Sequence, residues 1–132
     1  MLKSQEYGLA LDDVRQPFRS VMILEDDGLL SLMLEDLVRG EGLAEVHVCR
    51  DVKGALEVVE AAALDCAILD VSLHHGPNYD VADALAARGI PFMFCTGLSL
   101  NDIVERHRHR PILPKPYGDA EFKAAFAAAL SG

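Results

Sequence analysis

Four short stretches of this chain carry residues able to do chemistry together. Three acids stand in a row, Glu25-Asp26-Asp27, and a lone acid, Asp70, closes the apolar run "CAIL". A hydroxyl and a glycine, Thr96-Gly97, close "FMFC", and a single lysine, Lys115, sits in "LPKP". A charge at the end of a run built for burial is costly unless the strand opens there into a wet site. Carboxylates held close repel one another, and a hard divalent cation with oxygen ligands neutralises them. Mg2+ takes one or two carboxylates, a phosphate oxygen and waters. Asp70 is then a candidate nucleophile towards phosphorus, forming an acyl phosphate. The equatorial oxygens of a transferring phosphoryl group need cations and donors around them. Lys115 supplies charge, Thr96 a hydroxyl, and backbone N–H groups near Gly97 add more.

Those residues converge only if the elements bearing them end side by side. Apolar runs occur at Ser20–Leu24, Ala44–Cys49, Cys66–Leu69, Ile90–Cys95 and Pro111–Leu113. Most lack polar–apolar alternation, as parallel strands covered on both faces do. Between them lie segments of helical period. Leu30, Met33, Leu34, Leu37 and Val38 form one stripe that stops at Gly40. Asp51 is placed to cap a helix with Val52, Ala55, Leu56, Val59 and Ala62 on one face. Asp80 is placed to cap a short helix bearing Val81, Ala84 and Leu85, closed by Gly89. A last helix from about Gly118 buries Phe122, Ala125, Phe126 and Leu130. Strand and helix in alternation predict an α/β fold, a doubly wound parallel sheet. Ligands bind such sheets outside the carboxyl ends of the strands, where all four stretches fall.

One connection is weaker. From Leu98 to Arg110 only Leu100, Ile103 and Val104 make a stripe before "RHRHR", which predicts a short or mobile fourth helix. Residues 1–19 precede the repeat as an N-terminal extension, a docking helix or a tail, and 20–132 form the domain.

The 132 residues suffice for one domain with one core, and 51% hydrophobic with 25% charged residues reads as globular. A net charge of -9 argues against direct DNA binding, since phosphate backbones demand a basic footprint. No apolar run is long enough to span a membrane, and the acidic N-terminus does not resemble a signal peptide, so a cytoplasmic protein is expected. Cys49, Cys66 and Cys95, without metal-ligand spacing, read as buried free thiols.

In that order and at those strand ends, the four stretches resemble the receiver domain of bacterial response regulators. "VMILEDD" is similar to the family's acidic metal-binding start and "CAILDVSL" to its phosphoacceptor strand. "FMFCTG" is similar to its hydroxyl strand, and "PILPKPY" to its lysine strand. The resemblance covers roughly residues 20–131. It implies a five-stranded sheet in the order 2-1-3-4-5, with Mg2+ or Mn2+ held by Glu25, Asp26, Asp70 and the backbone carbonyl of Ser72. Asp70 would be phosphorylated, Thr96 would switch, and Lys115 would contact the phosphoryl group. The implied partners are a sensor histidine kinase or histidine phosphotransfer protein and a downstream protein, with a homodimer left open. Such a chain is a signalling protein that catalyses its own phosphorylation and dephosphorylation, not a classical enzyme. The sequence departs from the commonest pattern at Ile112, where most members carry an aromatic switch residue. Its short stretch between Thr96 and Lys115 and its Phe-x-Thr-Gly motif resemble a single-domain subgroup with a reduced fourth helix. No effector domain is expected after Leu130. Leu98, two residues after Thr96, cannot orient an attacking water, which suits a long-lived phosphoryl state.

Competing readings are blander. Asp26 and Asp27 could instead cap the first helix, a reading that the third acid, Glu25, weighs against. His74 and His75 point apart and lack a third ligand at helical spacing, so a solvated loop is the reading there. "RHRHR" reads as an exposed face or a partner contact, and His47 as a packed or edge histidine. A degenerate receiver that binds without phosphorylation is the alternative function. A phosphatase of the DxDxT kind lacks its second Asp, because Val71-Ser72 follow Asp70.

Overall fold

The computed structural model describes residues 19–42, 45–73 and 76–131. Five parallel strands form the sheet: β1 (Ser20–Leu24), β2 (Glu45–Cys49), β3 (Cys66–Leu69), β4 (Phe92–Thr96) and β5 (Ile112–Pro114). Their spatial order is β2-β1-β3-β4-β5, so the chain reverses direction across the sheet between β1 and β3. Four α-helices flank it: α1 (Gly28–Arg39), α2 (Val52–Ala61), α3 (Asp80–Ala87) and α4 (Asp119–Ser131). A two-residue antiparallel hairpin, Ser72–Leu73 against Gly76–Pro77, follows β3.

The inner strands β1, β3 and β4 are buried at every residue, as two covered faces require. Alternate side chains feed opposite layers. Met22, Leu24, Leu69, Phe92 and Phe94 meet Ala55 and Val59 of α2 and Val81 and Leu85 of α3. Val21, Ile23, Ile68, Met93 and Cys95 meet Leu34 and Val38 of α1 and Phe122 and Phe126 of α4. β2 and β5 are the edges, so the edge reading of His47 holds. Pro111 precedes β5, Pro114 ends it and Pro116 follows, which limits the donors at that edge.

Local signals behave mostly as expected. Asp51 caps α2, its carboxylate accepting from Gly54 N–H at 2.7 Å. Asp80 does not cap α3 but is its first residue; Asn78 Oδ1 accepts the Asp80 N–H at 2.9 Å and starts the turn instead. Gly89 closes α3 with φ +69°, a left-handed conformation that favours glycine. On α1 the buried face is Ser31, Leu34 and Val38, while Met33 is 53% exposed beside Leu29 and Leu32. The helix is rotated away from the expected stripe because Ser31 can enter the core. Its hydroxyl donates to Gly28 O at 3.0 Å, so no polar atom is stranded there.

The reduced fourth helix is two 3-10 turns, Leu100–Asp102 and Glu105–His107. Ile103 is fully buried in the layer of α2 and α3, whereas Leu100 is exposed. The segment is tied to α3 rather than loosely held. Tyr79 Oη donates to Asp102 O at 3.3 Å and accepts the Val104 N–H at 3.2 Å. Arg106 donates two hydrogen bonds to Asp83, at 2.9 and 2.8 Å. His107, only 3% exposed, sets Nε2 2.7 Å from Asp83 Oδ1 and stacks on Tyr79. The Arg110 guanidinium lies 4.1 Å over the Phe92 ring. "RHRHR" is therefore not one exposed face.

Arg106 holds the Asp83 carboxyl down to about 2, against the opposing effect of burial and with further help from His107. A depressed carboxylate contributes stability above its ordinary value near 3.8 that is lost as the pH falls through about 2. Urea midpoints measured down this range should fall more steeply for wild type than for Asp83→Asn. Parallel curves would mean that this ion pair carries none of the acid sensitivity.

Candidate functional site

The carboxyl ends of β1, β3, β4 and β5 bring the expected residues together. Glu25 follows β1, and its backbone N–H donates to Cys49 O of β2 at 3.0 Å. Asp70 follows β3 and donates its N–H to Leu24 O at 2.9 Å, which fixes the two acids side by side. Thr96 ends β4, and its carbonyl accepts the Lys115 N–H at 3.0 Å beyond β5. Register alone thus delivers all four stretches to one rim.

The side chains make a compact charged cluster. Lys115 Nζ donates to Glu25 Oε1 at 2.7 Å and to Asp70 Oδ2 at 2.8 Å. Ser72 N–H donates to the other oxygen, Asp70 Oδ1, at 2.9 Å. Glu25 and Asp70 are buried, while Lys115 reaches solvent. Burial pulls the Lys115 ammonium down, but its hydrogen bonds to Asp70 and Glu25 and their charges outweigh that, so its pKa is raised. Glu25 Oε2 also accepts the Asp27 N–H at 3.1 Å. Asp27 is the cap of α1, its Oδ1 accepting from Leu29 and Leu30 N–H at 3.0 Å each. The cap reading therefore holds for Asp27 and not for Asp26.

Glu25, Asp26 and Asp70 can each turn an oxygen to a common point, the three atoms lying within 4.8 Å of one another. Three carboxylate oxygens, with Lys115 balancing one charge, suit a hard divalent cation such as Mg2+ or Mn2+. Thr96 is fully buried, and its Oγ1 accepts the Leu98 N–H at 3.3 Å, which leaves the hydroxyl proton to donate elsewhere. Ile112, the departure from the resembled family's aromatic position, lies in β5, half-buried against the α2–α3 layer.

The thiols take no part. Burial pushes Cys66 up to about 12 and Cys95 up to about 11, and all three cysteines are free and buried. His74, His75 and residues 1–18 lie outside the described residues. Among the described residues no helix is long and apolar enough to cross a membrane. Sequence reasoning missed Tyr79 and Asp83, which tie the Thr96–Lys115 connection to α3. Their signal was present only as an aromatic and an acid spaced four apart at the start of a helix.

Known proteins share this arrangement of elements. The solution structure of SdrG from Sphingomonas melonis Fr1 is 41% identical, with a TM-score of 0.77 over 88% of this chain and 99% of that one. Transcriptional regulatory protein PdtaR of Mycobacterium tuberculosis is 32% identical over 117 residues, 86% of this chain; the chain spans 57% of that protein's length. The non-phosphorylated HemR receiver domain of Leptospira biflexa, 21% identical with a TM-score of 0.72 over 86% of this chain and 95% of that one, shares the fold. A scan against protein-family models finds no match.

Proposed function

This chain belongs to the receiver domains of response regulators, and on that premise we propose that Asp70 accepts a phosphoryl group from a histidine kinase or histidine phosphotransfer protein. The observation that carries this reading is the Lys115 ammonium bridging buried Asp70 and Glu25 at 2.8 and 2.7 Å. A lysine held there marks where phosphoryl charge will be received.

In the proposed reaction an Asp70 oxygen attacks phosphorus while the P–N bond of phosphohistidine breaks. The electron pair leaves on the imidazole nitrogen, and a proton already on the other ring nitrogen of the phosphohistidine makes the leaving group neutral imidazole. Ser72 N–H keeps the Asp70 carboxylate oriented throughout. Lys115 then exchanges its bond to the carboxylate for one to a phosphoryl oxygen, and Thr96 donates its hydroxyl to another. Glu25, Asp26, Asp70 and the Ser72 carbonyl are the proposed ligands of Mg2+, which when bound neutralises charge between donor and acceptor.

The connection between Thr96 and Lys115 carries the output in this reading. Movement of Thr96 towards the phosphoryl group strains a segment anchored by Tyr79, Asp83 and buried Ile103. The switch is thus a re-seating of these contacts, read by a downstream protein. The receiver unit is proposed to be residues 20–132, with residues 1–19 as an extension.

Intact mass after incubation with a small phosphodonor tests the reading. Wild type with Mg2+ should gain one phosphoryl group, and chelator or Asp70→Asn should abolish the gain. No gain under any condition would instead favour a receiver that binds without phosphorylation.

A further inference from the structure

Beside the carboxylate cluster, a cavity of about 520 Å3 opens between the β2–α2 connection and the hairpin after β3. Asp26 stands on its wall, so it adjoins the proposed phosphorylation site. Arg50 and Lys53 also line it. Both are exposed, and neither makes an ion pair or side-chain hydrogen bond among the described residues. The other carboxylate lining the cavity, Asp51, accepts the Gly54 N–H as its own helix cap. Two uncommitted cations in a chain of net charge -9, at the mouth of an acidic site, will draw an anion there.

The position of Arg50 is set by a missing side chain. A Cβ on residue 28 would lie 2.9 Å from Arg50 Nη2, so the guanidinium rests where Gly28 leaves room at the start of α1. The volume falls within the range of small-molecule sites.

We propose that this cavity is a leaving-group subsite for a small acyl phosphate, with Arg50 and Lys53 receiving the carboxylate it releases. The proposal rests on Asp70 being the phosphoacceptor. As the Asp70 oxygen bonds to phosphorus, the bridging P–O bond breaks and its electron pair stays on the departing carboxylate oxygen. The charge appears on the leaving group without any proton transfer, so nearby cations stabilise the transition state more than the ground state. A donor that releases a neutral group gains nothing from them.

The test compares two donors at constant ionic strength: acetyl phosphate, which releases acetate, and phosphoramidate, which releases ammonia. In the Arg50→Gln/Lys53→Gln variant, kcat/KM with acetyl phosphate should fall roughly tenfold, as expected for losing charge-assisted contacts. The rate with phosphoramidate should change less than about twofold. Gly28→Ala, which keeps both charges but evicts the guanidinium, should show the same selective loss in smaller measure. Unchanged unfolding midpoints establish that the variants fold. Equal losses with both donors, or no loss with either, would overturn the subsite while labelling by phosphoramidate leaves Asp70 as acceptor. If wild type takes neither donor, the acceptor reading fails and the subsite with it.

Discussion

Lys115→Met is expected to lower the stability of the metal-free protein by about 2–4 kcal/mol, somewhat less than the loss of one partner from a fully buried ion pair. The substitution keeps the length of the side chain but leaves two carboxylates, Glu25 and Asp70, facing each other with their shared cation gone. Both are almost wholly buried, so water cannot make up the difference. Millimolar Mg2+ should return part of the loss, because a divalent cation supplies the missing charge and stabilises the state that binds it. The pH dependence has a definite sign. A lysine whose folded pKa is raised stabilises fully below its ordinary value near 10.5, and that contribution is lost as the pH rises through the higher folded value. Wild type should therefore lose its advantage over Lys115→Met above that pH, on top of the alkaline weakening that the buried thiols impose on both. Urea unfolding with chelator, with Mg2+ and at alkaline pH reads all three effects. Equal midpoints for the two proteins in chelator would mean that the bridge is not a stabilising contact.

The second large effect belongs to Phe94. Its ring packs edge-on to Phe92 at 5.6 Å, to Tyr79 at 6.4 Å and to His107 at 6.1 Å. Phe94→Ala should cost about 3–5 kcal/mol, much of the stability of an ordinary domain. The melting temperature should fall by roughly 10–20 °C for a chain of this size. The loss should also be felt at a distance. Tyr79 and His107 lose a common wall, so amide exchange from Leu98 to Arg110 should accelerate beyond what the fall in global stability explains. Phe94→Leu, which refills most of the volume, should recover much of both effects. If exchange in that segment followed global unfolding alone, the aromatic cluster would not be what anchors it.

The strands and the candidate site were readable because each is written locally. β1, β3 and β4 are unbroken apolar runs, and Glu25, Asp70 and Thr96 follow or end them directly, so placing the strands placed the residues. The ordering of those strands is not local; it came with the family resemblance. The rotation of α1 escaped because a polar residue, Ser31, was excluded from the stripe although one bond to Gly28 O satisfies it. The "RHRHR" run was misread for a different reason. Its counter-charge, Asp83, lies 24 residues before His107 on another element, and no spacing rule reaches that far. Likewise the Arg110 guanidinium stacked over Phe92 turns a charged side chain into packing material.

The prolines around β5 have a consequence for how this protein behaves at high concentration. Pro111 O accepts the Phe94 N–H and Lys115 N–H donates to Thr96 O, so residues 111, 113 and 115 face β4 while 112 and 114 face outward. Pro114 has no N–H, which leaves the outer margin of β5 with the single donor of Ile112. A strand arriving from another molecule meets a ladder with a missing rung, and the neighbouring prolines keep it from extending either way. Among the described residues no helix caps this side of the sheet, and the missing donor there disfavours amyloid-like growth while leaving side chains available for recognition.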